Sequence, residues 1–81
     1  MIFDICNTEA WGELSEKYYK ILKPFSLKVH IDERGFKRAN IEIDSLQDIV
    51  DIIKATNKEI VISDLYKNEN MTIKIYDDWR E

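Results

Sequence analysis

FSLKVHIDERGFKRANIEID, residues 25–44, is the stretch that decides the fold. Phe25, Leu27, Val29 and Ile31 alternate with Ser26, Lys28, His30 and Asp32. After Gly35, Ala39, Ile41 and Ile43 alternate with Arg38, Asn40, Glu42 and Asp44. A period of two marks strands with one wet face and one buried face. Glu33-Arg34-Gly35 reads as a three-residue hairpin loop, because glycine takes positive φ at little cost. That loop sets Asp32 against Phe36, Val29 against Ala39, Leu27 against Ile41 and Phe25 against Ile43. A slip of one residue would turn an apolar row to water, so the register is strongly specified.

Downstream, Asp44-Ser45 opens a helix, with Ser45 and Asp48 spaced as a capping box. Leu46, Ile49, Val50 and Ile53 form its expected buried stripe, and Asn57 is its left-handed stop. Burial of Ile53 implies that Ile53→Ala costs about 2–5 kcal/mol. Residues 58–63 (KEIVIS) and 71–76 (MTIKIY) read as strands, with Met71, Ile73 and Ile75 inward and a polar loop between the two. Upstream, residues 1–6 (MIFDIC) form a short strand, and Asn7 or Thr8 caps a helix whose stripe is Trp11, Leu14, Tyr18, Ile21 and Leu22. Pro24 stops that helix. The expected core is Leu14, Tyr18, Leu27, Val29, Ile41, Ile43, Leu46, Ile49, Val50, Ile53, Ile62, Ile73 and Ile75. The order predicts a single α+β domain over residues 1–81. It is a two-layer sandwich with both helices on one face of an antiparallel sheet. The sheet has four strands, or five with residues 1–6. In the five-strand case the order is ferredoxin-like with one strand added.

The 81 residues suffice for one modest core, and apolar residues at 44% with nine aromatics indicate a folded chain. The single cysteine, Cys6, requires no oxidising compartment. No apolar run approaches the roughly 20 residues of a membrane helix. The first residues lack the basic and apolar regions of a signal peptide. A cytoplasmic protein is expected. The net charge of −4 is uneven, with residues 44–81 carrying nine acids against five bases. Such a surface disfavours phosphate backbones, so direct nucleic-acid binding is not expected, and it suits a partner protein with a basic surface.

Catalytic chemistry finds no pattern here. His30 faces Lys28, Asp32 and Arg38 without a spaced nucleophile, and reads as an exposed strand histidine. Cys6 has no CxxC partner or adjacent base and reads as a structural thiol. Asp77-Asp78, and Asp64 with Glu69, lack the converging oxygens a hard cation needs, so neither a metal nor any other cofactor is expected. Lys28, Arg34, Lys37 and Arg38 with Phe36 form one small basic patch, offset by Asp32, Glu33 and Glu42. Glu9, Glu13 and Glu16 form an acidic row, and so do Asp44, Asp48 and Asp51. Each row reads first as a solvated helix face. Carboxylates one turn apart also approach the spacing of successive phosphates, which keeps nucleic-acid mimicry open for the second row.

The segment IEIDSLQDIVDIIKATNKEIVIS and the terminal MTIKIYDDWRE resemble small proteins of phages and prophages of low-GC Gram-positive bacteria. Those proteins show a strand, a "sLedLl"-like helix, a strand and a terminal "IxIYDDxRE". The resemblance spans Ile41–Glu81 and does not reach the Trp11 helix. It implies an anti-CRISPR or other anti-defence inhibitor: non-enzymatic, acidic and bound to a host protein. The other reading is an oligomeric sponge for a nucleotide signal. In it, Arg34, Lys37 and Arg38 hold phosphate, and Trp11 or Trp79 holds the base. The expected partner-binding residues are Tyr76, Asp77, Asp78, Trp79 and Arg80, an aromatic anchor among exposed acids, together with Asp44, Asp48 and Asp51. Trp79 is either that anchor or a side chain folded onto the core. As an anchor, Trp79→Ala keeps the melting temperature and weakens the partner by about 2 kcal/mol or more. As core, the same change costs about 3–5 kcal/mol of stability, so thermal denaturation beside a partner titration separates the two.

Overall fold

In the computed structural model the hairpin forms in the expected register. Val29 pairs with Ala39 between β2 (Lys28–Ile31) and β3 (Lys37–Glu42). The Asp32 N–H donates to the Phe36 carbonyl at 2.9 Å, and Gly35 takes φ +87°. The carboxylate of Asp32 accepts from the backbone N–H groups of Arg34 and Phe36, both at 2.9 Å. The structure describes residues 1–8, 13–63 and 70–77.

Five strands form one sheet in the order β2-β3-β1-β5-β4, where β1 is Ile2–Asn7, β4 is Glu59–Ser63 and β5 is Met71–Tyr76. The segment at residues 1–6 is therefore a strand, and it is central. Phe3, Ile5, Ala39, Ile41, Ile43, Ile73 and Ile75 share one face and form a single cluster with Leu14, Tyr18 and Leu22 and with Ile52. Helices α1 (Lys17–Leu22) and α2 (Leu46–Thr56) cover that face, giving the two-layer α+β arrangement. The sheet is mixed rather than wholly antiparallel. The strand β1 runs antiparallel to β3 but parallel to β5, Ile5 pairing with Ala39 on one side and Ile73 on the other. The order β2-β3-β1 is that of the ferredoxin-like sheet. The extra strand enters the middle, because β4 takes the edge and β5 folds back between it and β1.

Three further differences have local causes. Among the described residues the first α-helix is Lys17–Leu22, and residues 13–16 stand outside it. Asn7 remains in β1, where its Oδ1 accepts from Ser15 N–H at 2.7 Å and its N–H donates to the Glu13 carbonyl at 3.1 Å, which pins residues 13–15 outside helical geometry. Trp11 and Glu9 lie outside the described residues. Phe25 and Leu27 do not join β2. A 3-10 turn over Lys23–Phe25 carries Pro24, and Ser26 turns left-handed at φ +61° before the strand begins.

The third difference concerns α2. Its inward side chains are Ile52 and Thr56, with Ile49 partly buried. Leu46 is 80% exposed, and Val50 and Ile53 are each 39% exposed. Five apolar residues at 46, 49, 50, 52 and 53 wrap too far around the helix for all to reach the sheet. Thr56 can be buried because its hydroxyl donates to the Ile52 carbonyl at 2.8 Å. Val29 and Ile62, also expected in the core, sit on the two edge strands and stay partly exposed. Buried apolar residues missing from the expected core are Phe3, Ile5, Cys6, Leu22, Ala39 and Ile52.

The expected cost of about 2–5 kcal/mol therefore moves to Ile52→Ala, and Ile53→Ala falls to about 1 kcal/mol. Urea midpoints of the two variants, measured side by side, check the assignment; equal shifts would contradict it.

Candidate functional site

Helix α2 forms because Ser45 and Asp48 close its first turn and Asn57 at φ +55° ends it. The Asp48 carboxylate accepts from Asp44 N–H at 2.8 Å and Ser45 N–H at 3.2 Å. With Ile49, Ile52 and Thr56 turned inward, Leu46, Val50 and Ile53 follow one another at i, i+4 and i+7 along the solvent side. At about 100° per residue they fall within a sector of roughly 60°, whereas Asp48 and Asp51 lie on the opposite flank, roughly 160° away, and Asp44 precedes the helix. The exposed half of α2 is thus part apolar and part acidic. The three acids are not a free ladder of phosphate-like groups. Asp48 serves the helix start, and Asp51 accepts from the Gln47 side chain at 2.8 Å.

The terminal group divides. Tyr76 is exposed on the sheet face away from the helices. Asp77 is 4% exposed, so it is no surface acid, contrary to the reading of the sequence. Period two in β5 sends Tyr76 outward and Asp77 to the helix side. There its carboxylate accepts from Tyr18 Oη and Asn7 Nδ2, with Lys17 Nζ at 3.5 Å. Thr8 Oγ1 accepts from Asp77 N–H at 3.0 Å. Burial raises the Asp77 pKa, but the bonds from Tyr18 and Asn7 and the charge of Lys17 outweigh it and hold the carboxyl below its ordinary value. Among the described residues every buried side-chain nitrogen and oxygen has a partner. Asp78, Trp79 and Arg80 lie outside the described residues.

The basic hairpin patch does not converge on one ligand. Arg38 and Arg34 lie over the Phe36 ring at 5.6 and 5.4 Å from its centroid. Lys37 points to the opposite side of the sheet, over Tyr19 at 4.5 Å. The three bases expected to hold a phosphate are therefore divided between two faces. Arg38 Nε donates to Asp32 at 3.0 Å, and that carboxylate already caps the turn. Burial disfavours the Asp32 anion, but the bonds from Phe36, Arg38 and Arg34 bring its pKa below the ordinary value. His30 is exposed opposite Arg38, and Asp32 is engaged elsewhere rather than orienting it. Cys6 is buried in the middle of the sheet. Desolvation pushes its thiol pKa up against the pull of Lys74 and Arg38, which suits an unreactive thiol.

Among the described residues no group of three or more His, Cys, Asp or Glu side chains gathers to hold a metal ion. No helix among them is long and apolar enough to cross a membrane. No protein-family model, curated protein or solved structure matches the chain.

The Asp77 cluster carries a pH signature. A carboxyl whose folded pKa is depressed adds stability above its unfolded pKa and loses it as pH falls through the folded value. Stability should therefore decline below the ordinary carboxylate range. Asp77→Asn should flatten that decline and cost about 1–3 kcal/mol at neutral pH, since its amide meets the Asn7 donor. Urea unfolding across an acid series reads both effects.

Proposed function

We propose that the protein is a non-enzymatic, acidic binding protein of the phage anti-defence type, acting in the host cytoplasm by docking α2 onto a host protein. The observation that carries this reading is the exposed row Leu46, Val50 and Ile53 along one side of α2. Three apolar side chains at i, i+4 and i+7 are the anchors of helix-in-groove recognition. The chain's net charge of −4, with Asp48 and Asp51 on the opposite flank of the same helix, favours a partner bordered by Lys and Arg over an acidic one. The partner is thus a protein with an apolar cleft and a basic rim, as in proteins whose usual ligand is nucleic acid. The protein occupies that cleft through helix packing more than through a carboxylate ladder, because Asp48 and Asp51 are bonded within their own helix. Tyr76 is exposed on the other face of the sheet and is not needed for this docking.

Leu46→Asp with Val50→Asp should cost little through Leu46, which is 80% exposed, and about 1 kcal/mol through Val50, which is 39% exposed. The pair should weaken the partner by about 2 kcal/mol or more. Asp44→Lys with Asp51→Lys should slow association and reduce its salt dependence. Capture from a bacterial host lysate, followed by titration with the purified partner, makes both comparisons. Binding untouched by the apolar pair removes α2 from the interface.

A further inference from the structure

The edge strand β2 carries a self-complementary pattern. It ends the sheet order, and its helix-side residues Val29 and Ile31 are 43% and 64% exposed. They continue the row that begins with buried Ala39, which pairs with Val29, so the core's apolar layer runs to the rim of the sheet and stops there uncovered. Helix α1 is only six residues long and leaves this rim open. Exposed apolar edge strands are templates for pairing unless something blocks them.

The backbone limits how another strand can add. Asp32 N–H donates to Phe36 O, which makes Asp32 and Phe36 a hydrogen-bonded pair. Such pairs alternate along an antiparallel ladder, so Lys28, His30 and Asp32 turn their N–H and C=O groups toward β3. Val29 and Ile31 turn theirs to the open edge. A second copy laid antiparallel there must match Val29 or Ile31 with Val29 or Ile31. Setting Ile31 on Ile31 puts Lys28 opposite Arg34 and Val29 opposite Glu33. Setting Val29 on Val29 puts Lys28 opposite His30. Setting Val29 on Ile31 puts Lys28 opposite Asp32, an ion pair, with His30 on the two-fold axis. This third register joins two apolar pairs, two opposite-charge pairs and about four backbone hydrogen bonds.

We infer that β2 is a homodimer interface, in which two copies pair antiparallel with Val29 opposite Ile31 and Lys28 opposite Asp32, so that their sheets become one. The contact is isologous and closes on itself, so it yields a dimer rather than a fibre. It leaves α2 out of the contact and does not depend on what α2 binds.

Light scattering on the purified full chain, over a range of concentrations, measures the mass. The expected value is twice 9.7 kDa. Amide exchange at Val29 and Ile31 should slow as concentration rises, which tests the interface without mutation. Val29→Lys should give a monomer with an unchanged circular dichroism spectrum. Lys28→Glu, which sets like charges opposite each other twice, should raise the dimer dissociation constant roughly tenfold. A monomer at every concentration, with fast exchange at both amides, overturns the inference. So does a dimer that survives Val29→Lys but is lost in Val61→Lys on the opposite edge, or in Leu46→Asp on α2.

Discussion

The double pairing of β1 is the constraint on which the rest of the structure depends. One edge of β1 is bonded to β3 and the other, in parallel, to β5. A parallel neighbour cannot be reached by a tight turn. The chain must pass through α1, the hairpin, α2 and β4 before β5 arrives beside β1. At the ends of these two parallel strands Asn7 and Asp77 meet Tyr18 from α1 and Ser15 before it. That cluster satisfies polar groups which are buried because the strands are central, and it ties three distant parts of the chain together. Leaving any of them unpaired there would cost more than a single hydrogen bond normally contributes.

The helix layer is smaller than the sheet it covers. Helices of six and eleven residues lie over five strands. A short chain buries a smaller share of its surface than a long one, so some apolar residues remain outside. Some, such as Met1, Ile2, Phe36, Val61 and Tyr76, are spread over the surface, and others are grouped. One set lies along α2 and another along the free edge of β2, and both keep the spacing of a helix or strand that meets a partner.

The acids, similarly, do different work from what their number suggests. Glu13 accepts from Lys37 N–H at 2.7 Å, Asp32 holds the hairpin turn, Asp48 closes a helix end and Asp77 anchors the core. Net charge alone therefore does not say which carboxylates face outward. Asp51 accepts from Gln47 on the flank of α2 opposite the apolar row, and Asp44 is exposed just before that helix.

The sequence by itself determined what local periodicity and turn chemistry control. The register of the hairpin where it forms, over Lys28–Ile31 and Lys37–Asn40, the glycine at positive φ, the Ser45 start and Asn57 stop of α2, the α+β class and the burial of Ile41, Ile73 and Ile75 were all legible. Each follows from residues within a few positions of one another. Tertiary structure decided what depends on distant neighbours. The chain could not say that β5 would enter between β1 and β4, because strand patterns do not name their partners. Nor could it say which part of the wide apolar arc on α2 would face the sheet, since Leu46 and Ile52 are equally apolar on paper. Asp77 looked like one of a run of surface acids. Only the approach of Asn7 and Tyr18, 70 and 59 residues away in sequence, made a buried carboxylate possible there.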